Sequence, residues 1–156
     1  MEILKYEEHD IEEIVDLFVD TVHKTSLADY TEQQLDIWAP PDEKKQLIEE
    51  WKKTLRQHIS YVAKYNNKLI GFSDLTLQGE LKRIYVHKNY IRNGIATKLL
   101  EKLEGEAYEL GLPHITTISS ITAVPFFKSQ GYKITSNENT PGVHIPTENM
   151  IMQKEL

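Results

Sequence analysis

Residues 80–111, ELKRIYVHKNYIRNGIATKLLEKLEGEAYELG, constrain the fold more than any other stretch of the chain. Glu80 to His87 is rich in β-branched and aromatic residues and predicts a strand. A polar turn follows, then Gly94-Ile95-Ala96 and a long amphipathic helix. Its apolar residues Ile95, Leu99, Leu100, Leu103, Ala107 and Leu110 recur at helical spacing on one face. A strand, a small-residue turn and a helix together present free backbone N–H groups and a positive dipole end to an anion. Small residues let a phosphate approach those donors, and Arg92 adds a charge beside them.

The rest of the chain sets bounds on what this unit belongs to. A length of 156 residues fits one domain, and 40% apolar with 27% charged residues is the balance of a globular protein. The net charge of −6 argues against general nucleic-acid binding, which needs a basic face. No apolar run approaches the ~20 residues that span a bilayer. The first eight residues, MEILKYEE, lack the basic and apolar regions of a signal peptide, so a cytoplasmic location is expected. With no cysteine there is no thiolate nucleophile, disulfide or Cys-based zinc site. His9, His23, His58 and His144 show no paired ligand spacing, so no metal is expected.

Residues 2–7 alternate and predict a first strand. Asp10, with Glu13 three residues on, reads as a capping box before Ile11, Ile14, Val15, Phe18, Val19 and Val22. Thr31 to Gln34 opens a short helix that Pro40-Pro41 must end, and Asp42 or Glu43 begins a third carrying Leu47, Ile48, Trp51 and Leu55. Ile59–Tyr65 and Leu69–Leu77 are strand-like and joined at Asn66-Asn67 as a hairpin; Gln78-Gly79 turns into the Glu80 strand. His114–Ser120 predicts a strand, and 121–130 a short helix with Pro125 in its first turn and Gly131 at its end. Tyr132–Ser136 and Met150–Lys154 close the chain as strands.

Four stretches carry a family resemblance. Ile91-Arg92-Asn93-Gly94-Ile95-Ala96, after Ile84-Tyr85-Val86, resembles motif A of the GNAT superfamily of acetyl-CoA-dependent N-acetyltransferases, (Gln/Arg)-x-x-Gly-x-(Gly/Ala). The Gly and Ala match; Ile91 stands where Gln or Arg is usual, and the basic residue comes one place later. Ser120 to Tyr132, SITAVPFFKSQGY, is similar to the family's Ala-x-x-aromatic-aromatic-x-x-x-Gly-(Phe/Tyr) signature beside the pantetheine arm. The Tyr30-to-Pro40 block and the Met152-x-Lys154-x-Leu156 end look like a bacterial subgroup of putative acetyltransferases. The resemblance covers nearly the whole chain and implies an α+β fold over residues 1–156 as one acetyltransferase domain. Its central sheet would be mixed and mostly antiparallel, with one splayed, bulged strand and helices on both faces.

Acetyl transfer from a thioester needs a neutral amine, a polarised carbonyl and close alignment of the two; alignment alone supplies about 7–11 kcal/mol in favourable cases. Leu81 is out of phase with Ile84 and Val86 under strict alternation. Either a β-bulge near Lys82-Arg83 restores the phase, or Leu81 packs on the opposite face. The resemblance implies the bulge, with the Val86 N–H as oxyanion donor. It also implies a cofactor site of Tyr85, Val86, Arg92, Asn93, Gly94, Ile95, Ala96, Thr97, Ser120 and Phe127. Glu80 is the candidate base against a reading as a solvated turn residue, with His87 and His114 as rivals. Ser120 serves equally as a helix cap. Tyr30 and Trp38 would flank the acceptor, although a Trp is more often core.

Phe127 stands where many family members carry a tyrosine that protonates the departing thiolate; Tyr132 and Tyr85 are the nearby phenols, and packing explains both. The expected partners are acetyl-CoA and a small amine acceptor, without nucleic acid or membrane; a homodimer stays open. Two rivals remain: a non-catalytic acyl-CoA-binding or sensor module of the same fold, and a nucleotide-binding protein, which would need a Gly-x-Gly-x-x-Gly spacing absent here.

Overall fold

The computed structural model describes residues 1–25, 44–137 and 150–156. The elements are β1 (Glu2–Lys5), α1 (Ile11–Thr25), α2 (Lys44–Gln57), β2 (Ile59–Tyr65), β3 (Lys68–Leu75), β4 (Glu80–Val86), α3 (Ile95–Glu109), β5 (His114–Ser119), α4 (Val124–Ser129), β6 (Lys133–Asn137) and β7 (Met150–Glu155). The seven strands form one sheet in the order β1-β2-β3-β4-β5-β7-β6. Every neighbouring pair is antiparallel except β4 with β5. This is the mixed α+β arrangement the sequence implies.

The two faces have separate cores. Ile11, Ile14, Val15 and Phe18 of α1 and Trp51 and Leu55 of α2 pack on Val62, Leu69 and Phe72. On the other face Leu99, Leu100, Leu103 and Ala107 of α3 pack on Ala63, Leu75, Leu81, Ile115 and Met152. Leu110 caps α3 and stays 57% exposed, because the helix ends one residue before its apolar stripe does. Gly71 lets α3 come this close: a Cβ there would sit 3.1 Å from the Tyr85 carbonyl oxygen and 3.2 Å from Ile95 Cγ2.

Two turns follow the sequence closely. Asn66 and Asn67 both take positive φ, 50° and 65°, the conformation that a tight two-residue hairpin requires. Gly79 has φ 97° and closes the β3–β4 turn through its N–H to the Thr76 carbonyl at 3.1 Å.

The capping reading is corrected. Asp10 lies at the third position of a turn that Glu7 starts, and its Oδ2 accepts the Glu7 N–H at 3.0 Å. Glu13 does not close a box with Asp10; its Oε2 accepts the Leu69 N–H at 3.1 Å and ties α1 to β3. The expected β3 end at Leu77 also moves back to Leu75, and Leu77 is exposed.

Candidate active site

The cleft begins with one extra residue. Asp74 pairs with Arg83 and Leu75 with Leu81, so Lys82 has no partner on β3. This is the bulge that the phase of Leu81 suggested, and Leu81 is buried with Leu75 in the α3-side core. Beyond it β4 leaves β5: the parallel pairing holds only at Glu80 with Thr116 and Leu81 with Thr117. From Lys82 onward the two strands splay, and a cleft of about 300 Å³ opens between their C-terminal ends. Hollows of about 330 and 740 Å³ lie elsewhere, so the splay and not size singles out this one.

The ladder fixes where the β4 amides point. The His87 N–H donates to the Ile70 carbonyl at 2.7 Å, which makes 70 with 87 a hydrogen-bonded pair. Gly71 with Val86 is therefore the alternate kind of pair, whose amides turn away from each other. The Val86 N–H thus points off β3, toward the gap left by β5.

The turn after β4 has the cradle geometry. A short 3₁₀ turn spans Lys88–Tyr90, and Ile91 is extended and 43% exposed. Arg92 and Gly94 take φ 70° and 77°. Gly94 caps α3, its carbonyl accepting the Lys98 N–H at 3.1 Å. The Ile95, Ala96 and Thr97 amides, in the first turn, lack intrahelical partners. Ile95 is buried at 3% exposure and fixes the start of the helix; Arg92, Asn93 and Gly94 are exposed. A Cβ on Gly94 would meet nothing within 4 Å, so within the protein glycine answers to its φ and not to packing.

Ser120 and Phe127 line the β5 side of the cleft. Ser120 Oγ accepts the Ala123 N–H at 3.3 Å, so the capping reading holds. Phe127, 2% exposed, packs edge-on against Tyr132 at 5.3 Å between ring centres. The Tyr132 hydroxyl donates to Glu104 Oε2 at 3.0 Å, away from the cleft lining. Burial and the Glu104 carboxylate push its pKa far up. Tyr85 lines the cleft and stacks on Phe72 at 5.6 Å.

Glu80 sits at the closed end of the splay. Its carboxylate pairs with Lys82 Nζ at 3.1 Å, its side chain is 37% exposed, and it is not among the cleft-lining residues. His87 Nδ1 accepts the Asn89 N–H at 3.1 Å. Tyr30 and Trp38 lie outside the described residues.

Several cleft residues have no counterpart in the sequence reading. Phe18 and Trp51 form its wall from α1 and α2. Arg83 lies over the Trp51 ring, 4.2 Å from its centre, and its Nη1 donates to Asp74 Oδ2 at 2.6 Å. The same oxygen is 2.8 Å from His58 Nδ1. The signal was an aspartate inside the apolar run LIGFSDL: a buried acid needs a partner, and Arg83 is opposite across the hairpin.

The family model described as "Acetyltransferase (GNAT) domain" matches residues 26–154. The chain is 30% identical over 133 residues to the uncharacterized N-acetyltransferase YafP of Escherichia coli (strain K12), covering 85% of this chain and 81% of that protein. Its fold is similar to that of a GCN5-related N-acetyltransferase structure from Rhodopseudomonas palustris, with TM-score 0.87, 24% identity and coverage of 99% and 95% of the two chains. It is also similar to the PaiA N-acetyltransferase of Thermoplasma acidophilum, solved in complex with coenzyme A, with TM-score 0.79, 22% identity and coverage of 99% and 98%. With a family model matched over most of its length, this chain belongs to the GNAT acetyltransferases.

Proposed function

We propose that residues 1–156 act as one domain that transfers the acetyl group of acetyl-CoA directly to a primary amine on a small acceptor. The observation that carries this reading is the splay of β4 from β5, with the Val86 amide turned into the gap beside a cradle of helix N–H groups. The pyrophosphate would lie on the Arg92–Thr97 turn. The pantetheine arm would run past Ser120 and Phe127, leaving the thioester carbonyl at the Val86 N–H. A preorganised donor of this kind is worth about 2.7–4 kcal/mol toward a tetrahedral intermediate. The chain has no cysteine, which favours direct attack over an acyl-enzyme.

The amine must lose a proton. Glu80 is the proposed base, and its place outside the lining means that it acts through water. With Phe127 at the usual tyrosine position, water, or no specific residue, protonates the leaving thiolate. A thiol of pKa ≈ 8.5 leaving at pH 7 is about 1.5 units from its preferred state. The cost is roughly 2 kcal/mol, within reach of the carbonyl donor.

The test is an acceptor screen with acetyl-CoA, reading free thiol and the mass of the acetylated amine. Turnover with any amine above the hydrolysis rate supports a transferase. Tight acetyl-CoA binding with no transfer across amines of every charge type would favour the sensor reading.

A further inference from the structure

The charged groups that line the cleft are opposite in sign to the chain's net charge, and each is met by a carboxylate outside the lining. Although the protein carries a net charge of −6, the charged side chains among the described cleft residues are Lys82 and Arg83, with no carboxylate. Lys82 is offset by Glu80 at 3.1 Å and is well exposed. Arg83 is different: its side chain is 18% exposed, its guanidinium carbon sits 4.2 Å from the centre of the Trp51 ring, and it is held by a carboxylate with no exposure at all.

A buried ion pair is a poor way to stabilise a fold, since desolvating both charges cancels most of the attraction. Its use here is positional. Asp74 holds one terminal nitrogen of a fork that has five N–H donors, and the Trp51 ring centre lies 4.2 Å from the guanidinium carbon, so the group is restrained from two sides while donors remain for a ligand. The fork lies on the α1–α2 face with Phe18 and Tyr85. The cradle and α3 belong to the other face.

We propose that Arg83 is the acceptor-selecting residue, and that acceptors are amines carrying a carboxylate on an apolar or aromatic body. The carboxylate meets the Arg83 fork, the body lies against Phe18 and Trp51, and the amine is left toward Val86. Asp74 is the positioning residue. This inference rests on the acetyltransferase reading only in naming the ligand as the acceptor; the anion subsite itself is testable without turnover.

The probes are phenylacetate and phenylacetamide, which share a body and differ in charge, titrated calorimetrically into the CoA-saturated protein. The expected result is binding of phenylacetate at least tenfold tighter. The variant is Asp74→Asn with Arg83→Gln, because removing both ends of this ion pair leaves neither of its charges buried alone, and an amide oxygen at position 74 can still bond His58, whose Nδ1 meets the same Asp74 oxygen at 2.8 Å. Checked for folding by its melting transition, it should bind the two probes equally. Equal binding in the wild type, no binding of either probe, or a preference that survives in the double variant would each overturn the proposal, and the wild-type comparison decides even if the variant does not fold. In a second arm, thiol release is followed with phenylalanine and phenylalaninamide. A tenfold higher kcat/KM for phenylalanine supports the proposal, and equal efficiencies overturn it. No release from either amine, with the phenylacetate preference intact, overturns the naming of the ligand as the acceptor and leaves the anion subsite standing; the transferase reading itself is decided by the wider acceptor screen.

Discussion

His87 donates its backbone N–H to the Ile70 carbonyl at 2.7 Å, and this bond decides the direction of the amide one residue earlier. Because the pairing alternates, Val86 faces away from β3, and β5 has already diverged. Proline at 86 therefore removes a donor that the β3 ladder does not use. Val86→Pro should leave acetyl-CoA affinity within a few-fold of wild type and lower kcat by about 100-fold or more, the scale of losing one oxyanion donor. Single-turnover kinetics beside a binding isotherm separates the two effects. An unchanged kcat would remove Val86 from the chemistry.

Arg92 holds a left-handed φ of 70° that costs a non-glycine residue about 1–2 kcal/mol. Part of this returns to glycine's larger unfolded-state entropy, so Arg92→Gly should gain up to about 1 kcal/mol of stability. If the side chain reaches the phosphates, the same variant should bind CoA more weakly while its affinity for pantetheine, which has no pyrophosphate, stays put. The difference should widen at low salt, where charge is less screened. Equal changes for both ligands would make Arg92 only a turn residue.

Two tyrosines on the α3 side predict an alkaline limit to stability. Burial, with the hydrogen bond to Glu106 and its charge, pushes Tyr61 up to about 12 from 10.0. Tyr132 moves in the same direction through burial and Glu104. Groups raised in the folded state stabilise it below the unfolded pKa and lose that contribution as pH climbs to the folded one. Stability should fall between about pH 10 and 12. Tyr61→Phe, measured by urea unfolding across that window, should fall less than wild type; parallel curves would contradict the assignment. Tyr132→Phe should keep most of its turnover, since its hydroxyl is committed to Glu104.

Much of this architecture was legible in the sequence, and for local reasons. The hairpin shows in Asn66-Asn67, because it is a property of a few neighbouring residues; the broken phase of Leu81 leaves a bulge and packing on the opposite face open, and the family resemblance selects the bulge. The cradle shows in the order strand, glycine, helix. The cleft's wall does not: Trp51 reads as the apolar stripe of a helix, and only packing brings it under Arg83. Asp10 was misread because Ser, Thr, Asp and Asn signal a cap without saying which turn they close; here the 3₁₀ turn from Glu8 to Asp10 moves the start back to Glu7.

Glu80 offers a test of the proton path. A base must be ionised to work, so the pH–rate profile should carry an acidic limb. Glu80→Gln should remove that limb and lower turnover with little change in acetyl-CoA affinity. A limb that persists would pass the role to His87, His114 or a water held by the backbone.

The most direct measurement of the central claim is the affinity of acetyl-CoA for the wild type and for Gly94→Val, by calorimetry on protein shown to be folded. Gly94 has φ 77° and open space around it, so a valine acts on the turn and the mouth of the cradle, not on the core. The account predicts that the melting transition stays cooperative while acetyl-CoA binding is lost. A folded Gly94→Val that binds acetyl-CoA as the wild type does would contradict it.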